Sequence, residues 1–156
     1  MVILGIDPGT TRMGYGVIKK DGSRLTHLKS GIFNISRTDP AGQLAEIEKE
    51  LKKLFDETSP SVVGLEKIFF AKNRKTAIEV AEARGVVLSV LGKESTTIKE
   101  LSPSEIKLAV TGYGRASKSA VAKMVHYFLG ISTEKLLDDE VDALAIAITA
   151  SGREYS

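Results

Sequence analysis

At 156 residues the chain is long enough to bury a substantial core. Its balance of 42% hydrophobic and 27% charged residues excludes a disordered or low-complexity protein. A formal net charge of +2 is too small to identify a nucleic-acid partner, so the placement of charge has to carry that question. With no cysteine, the chain has no disulfides, thiolate zinc sites or cysteine nucleophiles.

The N-terminus opens on a strand-like pattern rather than a signal peptide. No apolar run approaches the roughly 20 residues that cross a bilayer, so a cytoplasmic protein with no membrane partner is expected. Val2 to Ile6 is β-branched and apolar and runs into the turn signal Asp7-Pro8-Gly9. Gly14 to Ile18 and Leu25 to Ile35 follow as strands, and three consecutive strands predict an antiparallel meander. Asp39-Pro40 opens a helix, with Asp as N-cap and Pro at the first position. Leu44, Ile47, Leu51, Leu54 and Phe55 recur at helical spacing along it. Ser61 to Leu65 is a short buried-type strand that ends at Glu66.

From Arg74 to Leu91 the pattern is again helical. Ala77, Ala81, Gly85 and Leu88 form one stripe, which Ile78, Val80, Val86, Val87 and Val90 widen. A helix apolar on so many sides needs cover on two of them, either from one core or from a partner subunit. Thr96 to Leu101 is a fifth strand, and Ser102-Pro103-Ser104-Glu105 is a capping-box signature. A glycine-bearing loop from Thr111 to Ala116 precedes a helix from Ser117 to Leu129. A last helix runs from Asp138 towards Glu154. The order βββαβαβααα defines one α/β domain over residues 1–156, with no linker or repeat.

Four carboxylates stand where chemistry is plausible. Asp7 ends the first strand and Glu66 the fourth, and neighbouring strand ends bring such side chains to one sheet edge. Asp139 and Asp142 are three apart on the last helix and share a face. Each has an ordinary alternative: a turn former, a solvated strand end, or an acidic helix N-terminus. Asp142 fits that last alternative poorly, because it sits a turn inside the helix beside Ala143-Leu144-Ala145. Carboxylates without histidine or cysteine suit Mg²⁺, and two such ions about 4 Å apart activate water and stabilise the leaving oxygen of a phosphodiester.

Four segments together resemble the RuvC Holliday-junction resolvases: Gly5-Ile6-Asp7-Pro8-Gly9, Glu66-Lys67-Ile68-Phe69-Phe70-Ala71-Lys72-Asn73, Ala83-Arg84-Gly85 and Asp139-Glu140-Val141-Asp142-Ala143-Leu144-Ala145. Their order and spacing match over essentially the whole chain. The resemblance implies an RNase H-like fold, a mixed five-stranded sheet flanked by helices. It also implies a homodimer, two Mg²⁺ per active site with Mn²⁺ as a substitute, and paired symmetric cuts in four-way junction DNA during recombination and repair. It maps a catalytic, metal-binding tetrad onto Asp7, Glu66, Asp139 and Asp142. Asp138 offers another register, but the family's Asp-x-x-Asp-Ala-Leu-Ala pattern selects Asp139. A branch-migration complex of the RuvA–RuvB kind is the expected partner.

Basic residues cluster where this chemistry needs them. Lys67, Lys72, Arg74 and Lys75 follow Glu66, with no acid from there to Ile78. Lys107, Arg115, Lys118 and Lys123 form a second group with no acid between Ile106 and Thr133. The segment Asp39 to Glu57 is the opposite, with six acids and three lysines. Phe69 and Phe70 lie inside the first basic group, where an aromatic side chain can stack on opened bases. The resemblance assigns that role to Phe69 and leaves Phe70 open. It also sets Lys107 and Lys118 near the scissile phosphate. Lys72, Arg74, Lys75 and Arg115 are further DNA-binding candidates, and Tyr113 is a weaker one.

Gly112-Tyr-Gly-Arg-Ala-Ser-Lys118-Ser119 is not a P-loop: Ser117 replaces the last glycine, and the segment follows a helix. Gly5 to Thr11 resembles the first phosphate motif of actin-like ATPases, which need two such lobes. Alternative functions are an RNase H-like nuclease acting on RNA or RNA–DNA hybrids, and a junction-binding module without catalysis.

Overall fold

A computed structural model describes residues 1–9, 11–68 and 74–152, with only the main chain at 74 and 75. The elements run in the expected order. They are β1 (Val2–Asp7), β2 (Gly14–Asp21), β3 (Arg24–Ile32), α1 (Pro40–Thr58), β4 (Val62–Glu66), α2 (Arg74–Leu91), β5 (Thr97–Leu101), α3 (Pro103–Thr111), α4 (Lys118–Leu129) and α5 (Asp138–Ala150). The strands form one mixed sheet in the order β3-β2-β1-β4-β5. β1, β4 and β5 are parallel, and β2 runs antiparallel to both β1 and β3.

Local chemistry sets several boundaries. The Asp39 side chain accepts a hydrogen bond from Gly42 N at 2.8 Å, and the Ser102–Glu105 capping box is formed in full. α3 and α4 each stop at a glycine with positive φ, Gly112 at 80° and Gly130 at 65°. β3 ends earlier than Ile35, because its partner β2 begins only at Gly14, which pairs with Ile32. The last helix ends at Ala150, and Glu154 lies outside the described residues.

Alternation along the strands divides the core into two layers. Ile3, Ile18 and Val62 pack with α3, α4 and α5. Leu4, Ile6, Val17, Val63 and Leu65 pack on the other face with α1 and α2. On α2 the line buried within the chain is Ala83, Val87, Val90 and Leu91, which takes up Val87 and Val90 of the expected apolar surface. Gly85 is exposed and Ile78 is 58% exposed, so α2 has cover on one side within the chain. No helix among the described residues is long and apolar enough to cross a membrane.

α5 is buried almost all round and crosses the sheet on a row whose middle three residues are glycines. Ser30, Gly16, Gly5, Gly64 and Lys99 pair side by side across all five strands. A Cβ on Gly5 would stand 2.0 Å from Ala143 O, and one on Gly14 would stand 2.0 Å from Asp139 O. The two ends of the row grip the helix. Ser30 Oγ donates to Glu140 Oε1 at 2.7 Å, and Lys99 Nζ donates to Ala150 O at 3.0 Å. Lys20 Nζ adds a bond to Ser151 O at 2.8 Å, so two cations meet the negative end of the helix.

Gly5→Ala is therefore expected to lower unfolding free energy by about 2–4 kcal/mol in urea titration, as backbone must move to admit the methyl group. A loss below about 0.5 kcal/mol would show that α5 does not need this close seat.

Candidate active site

The same alternation that puts Ile3 and Gly5 under α5 puts Asp7 there, and Val62 and Gly64 do the same for Glu66. The parallel pairing of β1 and β4 ends at Ile6 and Leu65, so the two carboxylates follow side by side. On α5, Asp139 lies one turn from Ala143 and two from Ala147, the residues over Gly5. Asp142 lies one turn from Ile146 and two from Ala150, the residues over Gly64. Asp139 is thereby carried towards β1 and β2, and Asp142 towards β4.

Asp7, Glu66 and Asp142 have their ionisation shifted by burial and by their charged neighbours. The Asp7 carboxyl is pushed up to about 8, chiefly by burial, then by repulsion from Glu66, Asp142 and Asp139. It is hydrogen-bonded to Asp139 and to Glu66. Burial likewise raises Glu66, helped by Asp142 and opposed by Lys107 and Lys118. Asp142 is raised by burial, and Lys118 works against that shift. Asp138 is exposed, and Glu140 is engaged by Ser30, so Asp139 is the acidic residue of this turn that joins Asp7.

A cavity of about 190 Å³ is lined by Glu66, Asp142, Lys107 and Lys118, with Ile106, Val121 and Ile146 among its apolar walls. Lys118 is the first residue of α4, whose N-cap Ser117 accepts from Ala120 N at 3.1 Å. Arg115 and Tyr113 are exposed in the preceding loop. Of the other expected DNA contacts, Phe69 and Lys72 lie outside the described residues, as does Phe70. Arg74 and Lys75 are placed only as the first residues of α2.

One charged residue escaped the sequence pattern. Arg12 Nε lies 3.1 Å from Asp139 Oδ2, joining the β1–β2 connection to α5. Nothing in the sequence signals this pair, because the contact depends on how α5 crosses the sheet.

Four carboxylates from two strands and one helix, with no histidine or cysteine among them, form an all-oxygen donor set suited to hard divalent cations. Burial and mutual repulsion strong enough to hold a proton on Asp7 are the mark of a site short of positive charge. Among the described residues, no three such side chains are drawn together into a ready-made cage.

Comparison with known proteins identifies the family and the fold. A family model described as "Crossover junction endodeoxyribonuclease RuvC" matches residues 3–150. A protein of that name from Petrotoga mobilis is 43% identical over 148 residues, covering 94% of this chain and 91% of the relative. Thermus thermophilus RuvC, solved in complex with Holliday junction substrate, superposes with a TM-score of 0.89 at 31% identity, covering 98% of this chain and 95% of that one. The yeast mitochondrial Holliday junction resolvase shares the fold, with a TM-score of 0.68 at 14% identity over 94% of this chain and 77% of that one. The fold is RNase H-like, of the kind found in junction resolvases. The chain belongs to the RuvC family of crossover junction endodeoxyribonucleases.

Asp7 holds its proton more tightly folded than unfolded. Its contribution to stability is therefore fully present below the ordinary carboxylate range and is lost as pH rises from there through about 8. Asp7→Asn, which is neutral at every pH, is expected to raise the melting temperature in EDTA by several degrees at pH 9 and by less at pH 6. An equal shift at both pH values would contradict the assigned ionisation.

Proposed function

We propose that this chain resolves four-way DNA junctions by hydrolysing phosphodiesters with divalent cations held by Asp7, Glu66, Asp139 and Asp142. The observation that carries it is the convergence of these four carboxylates, one of them raised to about 8, beside Lys107 and Lys118. Membership of the RuvC family supports the substrate. When bound, Mg²⁺ or Mn²⁺ would lower the pKa of an attacking water and stabilise the leaving oxygen.

The chain's own residues prepare that chemistry. Asp7 must give up its proton before it can act as a ligand, so cation binding releases a proton and strengthens as pH rises towards about 8. Lys107 and Lys118 stand beside Glu66 and Asp142, where they would offset the charge of the scissile phosphate. Arg115, together with Lys72, Arg74, Lys75 and Phe69 of the segment after Glu66, completes the proposed DNA contacts.

Two symmetric cuts require two copies of the site. The exposed Ile78 and Gly85 of α2 support a homodimer through that helix. Partnership with a RuvA–RuvB-type motor is supported by family membership.

A synthetic mobile four-way junction with Mg²⁺ tests the proposal directly. Paired cuts at symmetric positions on opposing strands are expected, and Asp7→Asn should lower the rate at least about 10³-fold while junction binding persists. Cleavage of an RNA–DNA hybrid in place of the junction, or unchanged cleavage by Asp7→Asn, would overturn it. Sedimentation should find a dimer that Ile78→Glu converts to a monomer, and an unchanged dimer would remove α2 from the interface.

A further inference from the structure

Arg84 belongs to the Ala83-Arg84-Gly85 segment, yet the proposed chemistry gives it no role. Its neighbour Ala83 is fully buried against the sheet, whereas Gly85 is exposed on the other side of α2. The Arg84 side chain lies between these faces and is only 14% exposed. Its Nε donates to the main-chain carbonyl of Glu66 at 3.3 Å, and its Nη2 forms an ion pair with Glu100 on β5.

This placement matters because Glu66 is the last residue of β4. Beyond it, among the described residues, the sheet supplies one more bond, from Lys67 N to Leu101 O at 2.8 Å. A strand-end peptide without a partner for its carbonyl can rotate and swing the adjoining side chain. A guanidinium can hold that carbonyl and a carboxylate at once, because its donors form a rigid fork. A lysine ammonium is a single point and lacks that geometry.

We propose that Arg84 is a positioning residue that ties the main chain at Glu66 to α2 and so keeps the Glu66 carboxylate in register with Asp7 and Asp142 for cation binding. This rests on the proposed role of the carboxylate cluster as a cation site. A purely electrostatic role predicts the opposite sign, since deleting a positive charge beside the Glu66 main chain can only favour an added cation.

The experiment is calorimetric titration of the full chain with Mn²⁺ alone, comparing wild type, Arg84→Met and Arg84→Lys, with melting temperatures as a check of folding. Arg84→Met is expected to bind Mn²⁺ about tenfold more weakly, and Arg84→Lys to fall between the two although it keeps the charge. Binding by Arg84→Met as tight as wild type, or tighter, would overturn the proposal. If Arg84→Met does not fold, Arg84→Lys decides alone: weaker binding supports the proposal and wild-type affinity overturns it. Failure of the wild type to bind Mn²⁺ would overturn the cation-site proposal itself, and this one with it, a result visible without any variant.

Discussion

The close seat of α5 on a row of residues without bulky side chains is the constraint on which the site depends. Gly16, Gly5 and Gly64 lie side by side on three adjacent strands, and α5 closes on them through Leu144 at Gly16, Ala143 and Ala147 at Gly5, and Ile146 and Ala150 at Gly64. Helices that pack on a sheet through large side chains stand further off. Here the small residues bring the helix down, so Asp139 bonds to Asp7 and Asp142 lines the same cavity as Glu66. Ser30 and Lys99 fix where the helix lies along the row.

That proximity has an electrostatic cost. Carboxylates partly removed from water repel one another, and the chain answers by keeping a proton on Asp7 and by lining the adjoining cavity with Lys107 and Lys118. Arg12 offsets Asp139 from the outer side. The result is a site that favours added positive charge, which divalent cations would bring to it.

Much of this was legible in the sequence because it is written locally. Asp39, Ser102 and Glu105 cap the helices expected of them, and the strand ends at Asp7 and Glu66 follow from β-branched runs and turn residues. What was not legible depends on register. Gly5, Gly16 and Gly64 are separated in sequence and become a row only when the strands pair. α2 offers two overlapping apolar stripes, and periodicity alone does not say that Ala83, Val87 and Val90 face the core. Arg12 and Arg84 find their partners on elements distant along the chain, so neither pairing has a sequence signal.

The most direct measurement is anomalous diffraction from crystals of the chain soaked with Mn²⁺. The account predicts manganese peaks between Asp7 and the α5 pair Asp139 and Asp142, with oxygen ligands at about 2.1 Å. Manganese bound elsewhere, in an enzyme that still cleaves junctions, would contradict it.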